Sequence, residues 1–142
     1  MFAYHLTFDE KEALLRLVGH LATADREVSP QERKFVSNLA HDLNVSAQGV
    51  FEGLDETSLE QLCEQFERDS ARKLAIVQLV DLGLADNEYF AEEKAGVREV
   101  AERMGISEEE VERIERWVSK GRAWQEEGRE LLGLESGQKV SL

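Results

Sequence analysis

The sequence repeats itself at a constant offset of 61 residues, and this repeat limits the possible folds more than any other feature. Residues 20–50 align without a gap on residues 81–111. Apolar positions recur in both segments at helical spacing, so the repeat predicts two copies of one helical hairpin, at about 8–50 and 70–111. The identical pairs are Leu21/Leu82, Ala24/Ala85, Asp25/Asp86, Glu27/Glu88, Glu32/Glu93, Val36/Val97, Ala40/Ala101, Ser46/Ser107 and Val50/Val111.

Composition favours a single all-α domain. The 142 residues suffice for a substantial core, and 42% of them are hydrophobic with only one proline. No sustained alternation of polar and apolar residues and no hairpin turn predicts a strand. We therefore expect one domain over residues 1–135, followed by a flexible tail over 136–142.

Capping signals place the helices. The first helix is predicted over 8–24, behind the capping box that starts at Thr7, and the second begins at the box of Ser29 and Glu32 and stops at Asn44. Beyond them we predict a short helix over 46–50, a helix capped at Thr57, a long apolar helix from Asp69 or Ser70, a helix over 91–104 and a last helix capped at Ser107.

Each copy carries an aspartate at the end of one helix and a glutamate seven residues later, in the first turn of the next. Asp25 and Asp86 meet the negative end of a helix dipole, at a cost of about 0.3 to 1 kcal/mol. Helix capping explains Glu32, which pairs with Ser29, better than it explains Glu93. If the hairpins pack about a pseudo-twofold axis, these four carboxylates converge and require either bound protons or a cation.

Oxygen ligands of this kind suit hard divalent ions such as calcium, magnesium or manganese, and zinc also accepts carboxylates. The turns are not EF-hand loops, because Pro30 and Ala91 stand where the required glycine belongs. His20 and Asp81 lie one turn before the aspartates and are candidates to add a ligand or to orient one. Glu27 and Glu88 also recur, although a chain with 30 acidic residues makes that recurrence weak.

The net charge of −13 disfavours nucleic acid and anionic membranes as partners and favours cations and basic protein surfaces. The single Cys63 cannot form an internal disulfide, and its helical spacing with apolar neighbours predicts a core position. The N-terminus lacks the pattern of a secretion signal, so we expect a cytoplasmic protein.

The duplicated Ala-Asp-x-Glu-x-x-x-x-Glu turns, each followed by an apolar helix, resemble the TerB family of bacterial tellurite resistance over roughly residues 8–118. The resemblance implies an all-α fold of about seven helices with an acidic cluster proposed to bind divalent metal. Carried over by position, that metal site consists of Asp25, Glu32, Asp86 and Glu93. Arg26 and Asn87 replace the glycine that commonly follows each aspartate in the family. Asn87 tolerates a left-handed backbone almost as glycine does, whereas Arg26 tolerates it poorly and adds a positive charge, which predicts a weaker first half-site.

The last helix carries a narrow seam in which tryptophan and glycine alternate by threes and fours. Trp117 is expected to pack on the protein's own core, whereas Trp124 fits the core and a partner equally well. The residues proposed for interaction are Ile114, Trp117, Gly121 and Trp124.

The sequence therefore favours a non-enzymatic module that binds divalent metal and a protein partner in tellurite resistance or stress response. The alternative is a metal-free adaptor or homodimerisation domain that uses the seam, similar to the accessory domain of DjlA-type co-chaperones. A two-metal hydrolase is disfavoured, because no base or nucleophile evidently accompanies the acids.

Overall fold

The computed structural model describes residues 2–23, 27–85 and 89–134. Within these ranges the chain forms six α-helices, one short 3-10 helix and no strand, which confirms the all-α prediction. The 3-10 helix is Ala3–His5, and the α-helices are α1 Phe8–Ala22, α2 Pro30–Leu43, α3 Glu56–Glu64, α4 Asp69–Gly83, α5 Ala91–Arg103 and α6 Glu108–Leu131.

The sequence repeat is a structural repeat. Helices α1 and α4 are both 15 residues long, and their first residues, Phe8 and Asp69, are separated by the repeat offset. Helices α2 and α5 begin at Pro30 and Ala91, which are also equivalent positions. Two copies of one hairpin therefore account for four of the six helices.

The central pair, α1 and α4, organises the packing. These helices contact each other, and each also contacts both α2 and α5. Outside this group of four, α3 packs on α1 and α5, whereas α6 packs on α4 and α5. Large side chains with essentially no exposed surface fill the interior, including Val18, Phe66, Ile76, Leu79 and Val97.

The predicted start of α1, the predicted start of α6 and the predicted end of α2 are confirmed. Thr7 and Glu10 form a reciprocal capping box at α1, and Ser107 Oγ accepts from the Glu110 N–H at 3.2 Å at α6. Asn44 ends α2 in the left-handed conformation, with φ of 57°, which asparagine tolerates better than most residues. The third helix differs, because its N-cap is Asp55 rather than Thr57, and Asp55 Oδ1 accepts from the Ser58 N–H at 2.7 Å.

The prediction of a short helix over 46–50 is wrong, because this segment is irregular and ends in a turn. Its last residue, Val50, is buried against Gly19 of α1: a Cβ on Gly19 would stand 2.1 Å from the Val50 carbonyl oxygen. The close crossing of α1 decides the path of this loop. Helix α1 also ends at Ala22, two residues earlier than predicted.

Cys63 is buried, as predicted, and burial raises the pKa of its thiol to about 11. No helix in the described part of the chain is long and apolar enough to cross a membrane. Residues 135–142 lie outside the described residues, so the predicted boundary between domain and tail remains a prediction.

Candidate functional sites: the acidic turns and the α6 cleft

The structure describes only part of the predicted acidic site. Asp25, Asp86 and Glu88 lie outside the described residues, whereas Glu27 is described and exposed. Among the described residues, no group of three or more histidine, cysteine, aspartate or glutamate side chains is placed to hold a metal. A four-carboxylate site therefore depends on Asp25 and Asp86.

The two described members of that site are both buried. Glu32 and Glu93 are 5% and 7% exposed, which is unusual for carboxylates. Glu32 Oε1 accepts from the Ser29 N–H at 3.0 Å, and the Ser29 hydroxyl accepts from the Glu32 N–H at the same distance. Helix capping thus accounts for one oxygen of Glu32, as the sequence predicted.

Capping also accounts for one oxygen of Glu93, although the sequence favoured capping less for Glu93 than for Glu32. Glu93 Oε1 accepts from the Phe90 N–H at 3.2 Å, although the Phe90 side chain has no acceptor for the reciprocal bond. The other oxygen lies close to Gly83, where an added Cβ would be 3.5 Å from Glu93 Oε2 and 2.8 Å from the Tyr89 ring. The equivalent pair in the first copy is Ala22 and Val28, so the two copies carry different side chains here.

His20 is partly buried and holds the loop before α3. Its Nδ1 accepts a hydrogen bond from the Leu54 N–H at 3.2 Å. Burial lowers the pKa of His20, against the opposing effect of the Glu99 carboxylate. This contact gives His20 a structural role that its position in the repeat did not indicate.

Asp81, at the equivalent position of the second copy, binds Arg122 of α6 instead. The guanidinium donates to the Asp81 carboxylate through Nε and to the Asp81 backbone carbonyl through Nη2, both at 2.7 Å. Because Asp81 already has a cationic partner, it is a poorer candidate to support a metal than its position in the sequence indicated.

The Arg122–Asp81 contact is one clamp on α6, and Arg98 forms a second clamp that holds the first half of α6 against α5. Arg98 donates to both carboxylate oxygens of Glu115 at 2.9 Å and to Glu108 at 2.9 Å. The hydrogen bonds from Arg98 lower the pKa of Glu115. The beginning of α6 is therefore fixed to the body of the domain.

The second half of α6 forms one wall of a cleft of about 560 Å³, which lies within the range of typical ligand-binding pockets. Helices α2 and α4 form the other walls. The cleft is lined by Phe2, by Phe35, Asn38, Leu39 and Asp42 of α2, by Val77, Gln78 and Asp81 of α4, and by Trp117, Val118, Gly121, Arg122, Trp124, Gln125 and Arg129 of α6.

Both tryptophans of the chain lie on this cleft and are open to solvent. Trp117 is 50% exposed and Trp124 is 74% exposed. The prediction that Trp117 packs on the core is wrong, because the neighbouring Val118, 6% exposed, takes that place. Ile114, predicted as an interaction residue, is only 7% exposed and belongs to the core.

The side chain of Gln78 lines the same cleft. Gln78 of α4 is 9% exposed, and no hydrogen bond to its side chain is found within the described part of the chain. The amide oxygen and nitrogen of Gln78 are not among the fully buried unpaired atoms of the described residues, so water in the cleft reaches them and a polar group of a bound segment would replace that water. The sequence did not indicate a role for Gln78, because Gln78 stands within an apolar helix.

The two hairpins differ in side-chain size at an equivalent position beside the cleft. On α5, Gly96 lets α1 approach so closely that an added Cβ would lie 2.4 Å from Leu21 Cδ1. On α2 the equivalent residue is Phe35, whose ring lines the cleft. The difference in side-chain size makes the duplicated hairpins unequal in shape.

These features define a class of protein: an all-helical domain built from a duplicated hairpin, with an acidic turn in each copy. The family model of the tellurite resistance protein TerB matches residues 45–116, half of the chain, and the chain therefore belongs to the TerB family. The match contains the complete second copy and only the end of the first. No curated protein and no solved structure matched the chain.

Proposed function

We propose that this member of the TerB family is a non-enzymatic protein-interaction module of the tellurite-resistance or stress-response kind, and that partners dock in the α6 cleft. The observation that carries the proposal is the exposure of Trp117 and Trp124 at the edge of the cleft. Exposed tryptophans around a concave site are typical of binding hot spots. The amide of Gln78 supplies a polar group that would orient a bound segment.

A library of displayed peptides of about 12 residues, selected on the full chain, tests this role. We expect peptides that bind the wild type and lose binding to the Trp117→Ala/Trp124→Ala variant. Because both tryptophans line the cleft and are exposed, their fluorescence should change when such a peptide binds.

The matched control removes an exposed aromatic residue outside the cleft. Tyr4 is 83% exposed and does not line the cleft, so Tyr4→Ala should leave peptide binding unchanged. Peptides that bind all three proteins equally, or the enrichment of none, would refute a docking role for the cleft.

Divalent-metal binding at the acidic turns is the second candidate function, and the burial of Glu32 and Glu93 at equivalent positions favours it. Their carboxylates are of the type that hard divalent ions accept, but two are too few to hold such an ion alone. Asp25 and Asp86 would have to complete the site. When bound, a cation would neutralise charge between the turns and join the two copies.

Calorimetric titration of the full chain with calcium, manganese and zinc tests the metal proposal. Wild type should release or absorb heat on binding one of these ions, and the Asp25→Asn/Asp86→Asn variant should not. A Glu109→Gln/Glu112→Gln variant removes the same number of negative charges at exposed positions of α6 that form no ion pair within the described residues, and it is the control. Equal responses of all three proteins would reject the site.

A further inference from the structure

The second half of α6 has the residue pattern of a pairing helix. From Ile114 to Leu131 the seam advances by alternating steps of three and four, which is the spacing of positions a and d in a coiled coil. Large residues occupy one position, at Trp117, Trp124 and Leu131. Glycines occupy the other, at Gly121 and Gly128.

This seam leaves the protein's own core partway along the helix. Ile114 and Val118 are buried, but Leu131 is 87% exposed, more than either tryptophan. An added Cβ on Gly121 or Gly128 would meet nothing within 4 Å. The helix therefore presents projecting side chains that alternate with open depressions, next to the cleft that holds the amide of Gln78.

We propose that this exposed half of α6 pairs with the same half of α6 in a second copy of the chain, in antiparallel orientation about a twofold axis between Arg122 and Ala123. This inference rests on the proposed docking role of this face, and the bound partner is a second copy of the chain. In this register Trp124 lies over Gly121 of the second copy, and Trp117 lies over Gly128 of the second copy.

Size complementarity selects the antiparallel arrangement. Its register places every tryptophan of the seam against a glycine, so that large side chains fill the depressions. A parallel arrangement in register would place tryptophan against tryptophan and glycine against glycine, which leaves voids beside steric clashes.

Charge complementarity independently favours the same antiparallel orientation. Lys120 and Glu127 flank the seam, both are exposed, and neither forms an ion pair within the described residues. They are seven residues apart, about 10 Å along the helix, so they do not reach each other in one chain. In the antiparallel register Lys120 and Glu127 of the second copy lie along the same edge of the seam, offset by two residues or about 3 Å along the axis, which their long side chains span, and the symmetry produces this pair twice.

Sedimentation equilibrium of the full chain over a range of concentrations tests the proposal. The wild type should approach twice the monomer mass of 16.1 kDa as concentration rises. Lys120→Glu and Glu127→Lys should each weaken association on the order of tenfold, because each replaces two attractive pairs by two repulsive ones. The double variant Lys120→Glu/Glu127→Lys should restore the affinity.

The net charge of the chain cannot imitate this result. Lys120→Glu makes the net charge of −13 more negative by two, Glu127→Lys makes it less negative by two, and the double variant leaves it unchanged. Weakening by both single variants therefore identifies a specific contact. Circular dichroism of each variant establishes that its helices are intact.

A chain that stays monomeric at all concentrations would overturn the inference, and so would a dimer that neither charge reversal weakens or that the double variant does not restore. The docking role has a separate outcome. If the chain is monomeric but displayed peptides still require Trp117 and Trp124, the cleft receives a different protein and only the proposed dimer is rejected.

Discussion

Arg122 binds Asp81 twice, once through the carboxylate and once through the backbone carbonyl, and so ties the projecting half of α6 to the last turn of α4. Both side chains are about one third exposed. The arrangement serves two purposes, because a cation near a helix C-terminus is stabilising and because the bond fixes one wall of the cleft.

Removal of this clamp should loosen the cleft wall more than it destabilises the domain. For Arg122→Ala we expect a loss of about 1 kcal/mol in the free energy of unfolding, measured by urea denaturation. Amide hydrogen exchange should accelerate in α6 beyond residue 118 and remain unchanged in α1. Asp81→Asn retains an acceptor oxygen and should have the smaller effect, and equal exchange in all three proteins would contradict the role of the clamp.

The crossing of α1 by the 46–50 loop should make Gly19 intolerant of any side chain. Gly19→Ala would place a methyl group 2.1 Å from the Val50 carbonyl oxygen, so we expect a loss of about 2 kcal/mol or more in the free energy of unfolding. Gly121→Ala is the matched control, because its Cβ meets nothing within 4 Å. It should be neutral or stabilising by about 0.5 to 1 kcal/mol in urea denaturation of dilute protein.

The packing beside Glu93 is tested by giving positions 83 and 89 the residue types found at the equivalent positions of the first copy, alanine and valine. Gly83→Ala should cost about 1 to 2 kcal/mol of unfolding free energy, because its methyl group would lie 2.8 Å from the Tyr89 ring. In a Tyr89→Val background, which recreates the Ala22 and Val28 pair of the first copy, the same change should cost much less. A double-mutant cycle measures the coupling, and additive effects would mean that the two residues do not constrain each other.

The burial of His20 should appear in the dependence of stability on pH. Its pKa in the folded protein is below the ordinary value of 6.5, so the unfolded chain binds the proton more tightly. The neutral ring therefore contributes stability that is complete above about pH 6.5 and is lost as the pH falls toward the folded pKa. Urea denaturation between about pH 8 and about pH 5 measures this loss.

His20→Asn is the control for that titration. The asparagine oxygen can accept the Leu54 N–H in place of Nδ1 but does not bind a proton in this range. The variant should lose less stability than the wild type on acidification. If both proteins lose the same amount, other groups dominate the pH dependence.

Local chemistry made much of the fold predictable from the sequence. The constant repeat offset placed α1 and α4 at equivalent positions, and the serine and threonine caps placed the starts of α1, α2 and α6 because a cap acts within one turn. The 46–50 segment was mispredicted because its conformation depends on Gly19, which is distant in sequence and lacks a Cβ where the loop crosses.

The sequence by itself determined the duplicated helical hairpins, the acidic residue in the first turn of α2 and α5, and the tryptophan and glycine seam of α6, because all of these follow from spacing along one chain. Only the tertiary structure decided that Val118 rather than Trp117 enters the core, that Asp81 binds Arg122, and that a cleft opens beside Phe35. Periodicity specifies which side of a helix is apolar. The distance between helices depends on the sizes of side chains that meet from remote parts of the sequence, such as Gly96 with Leu21.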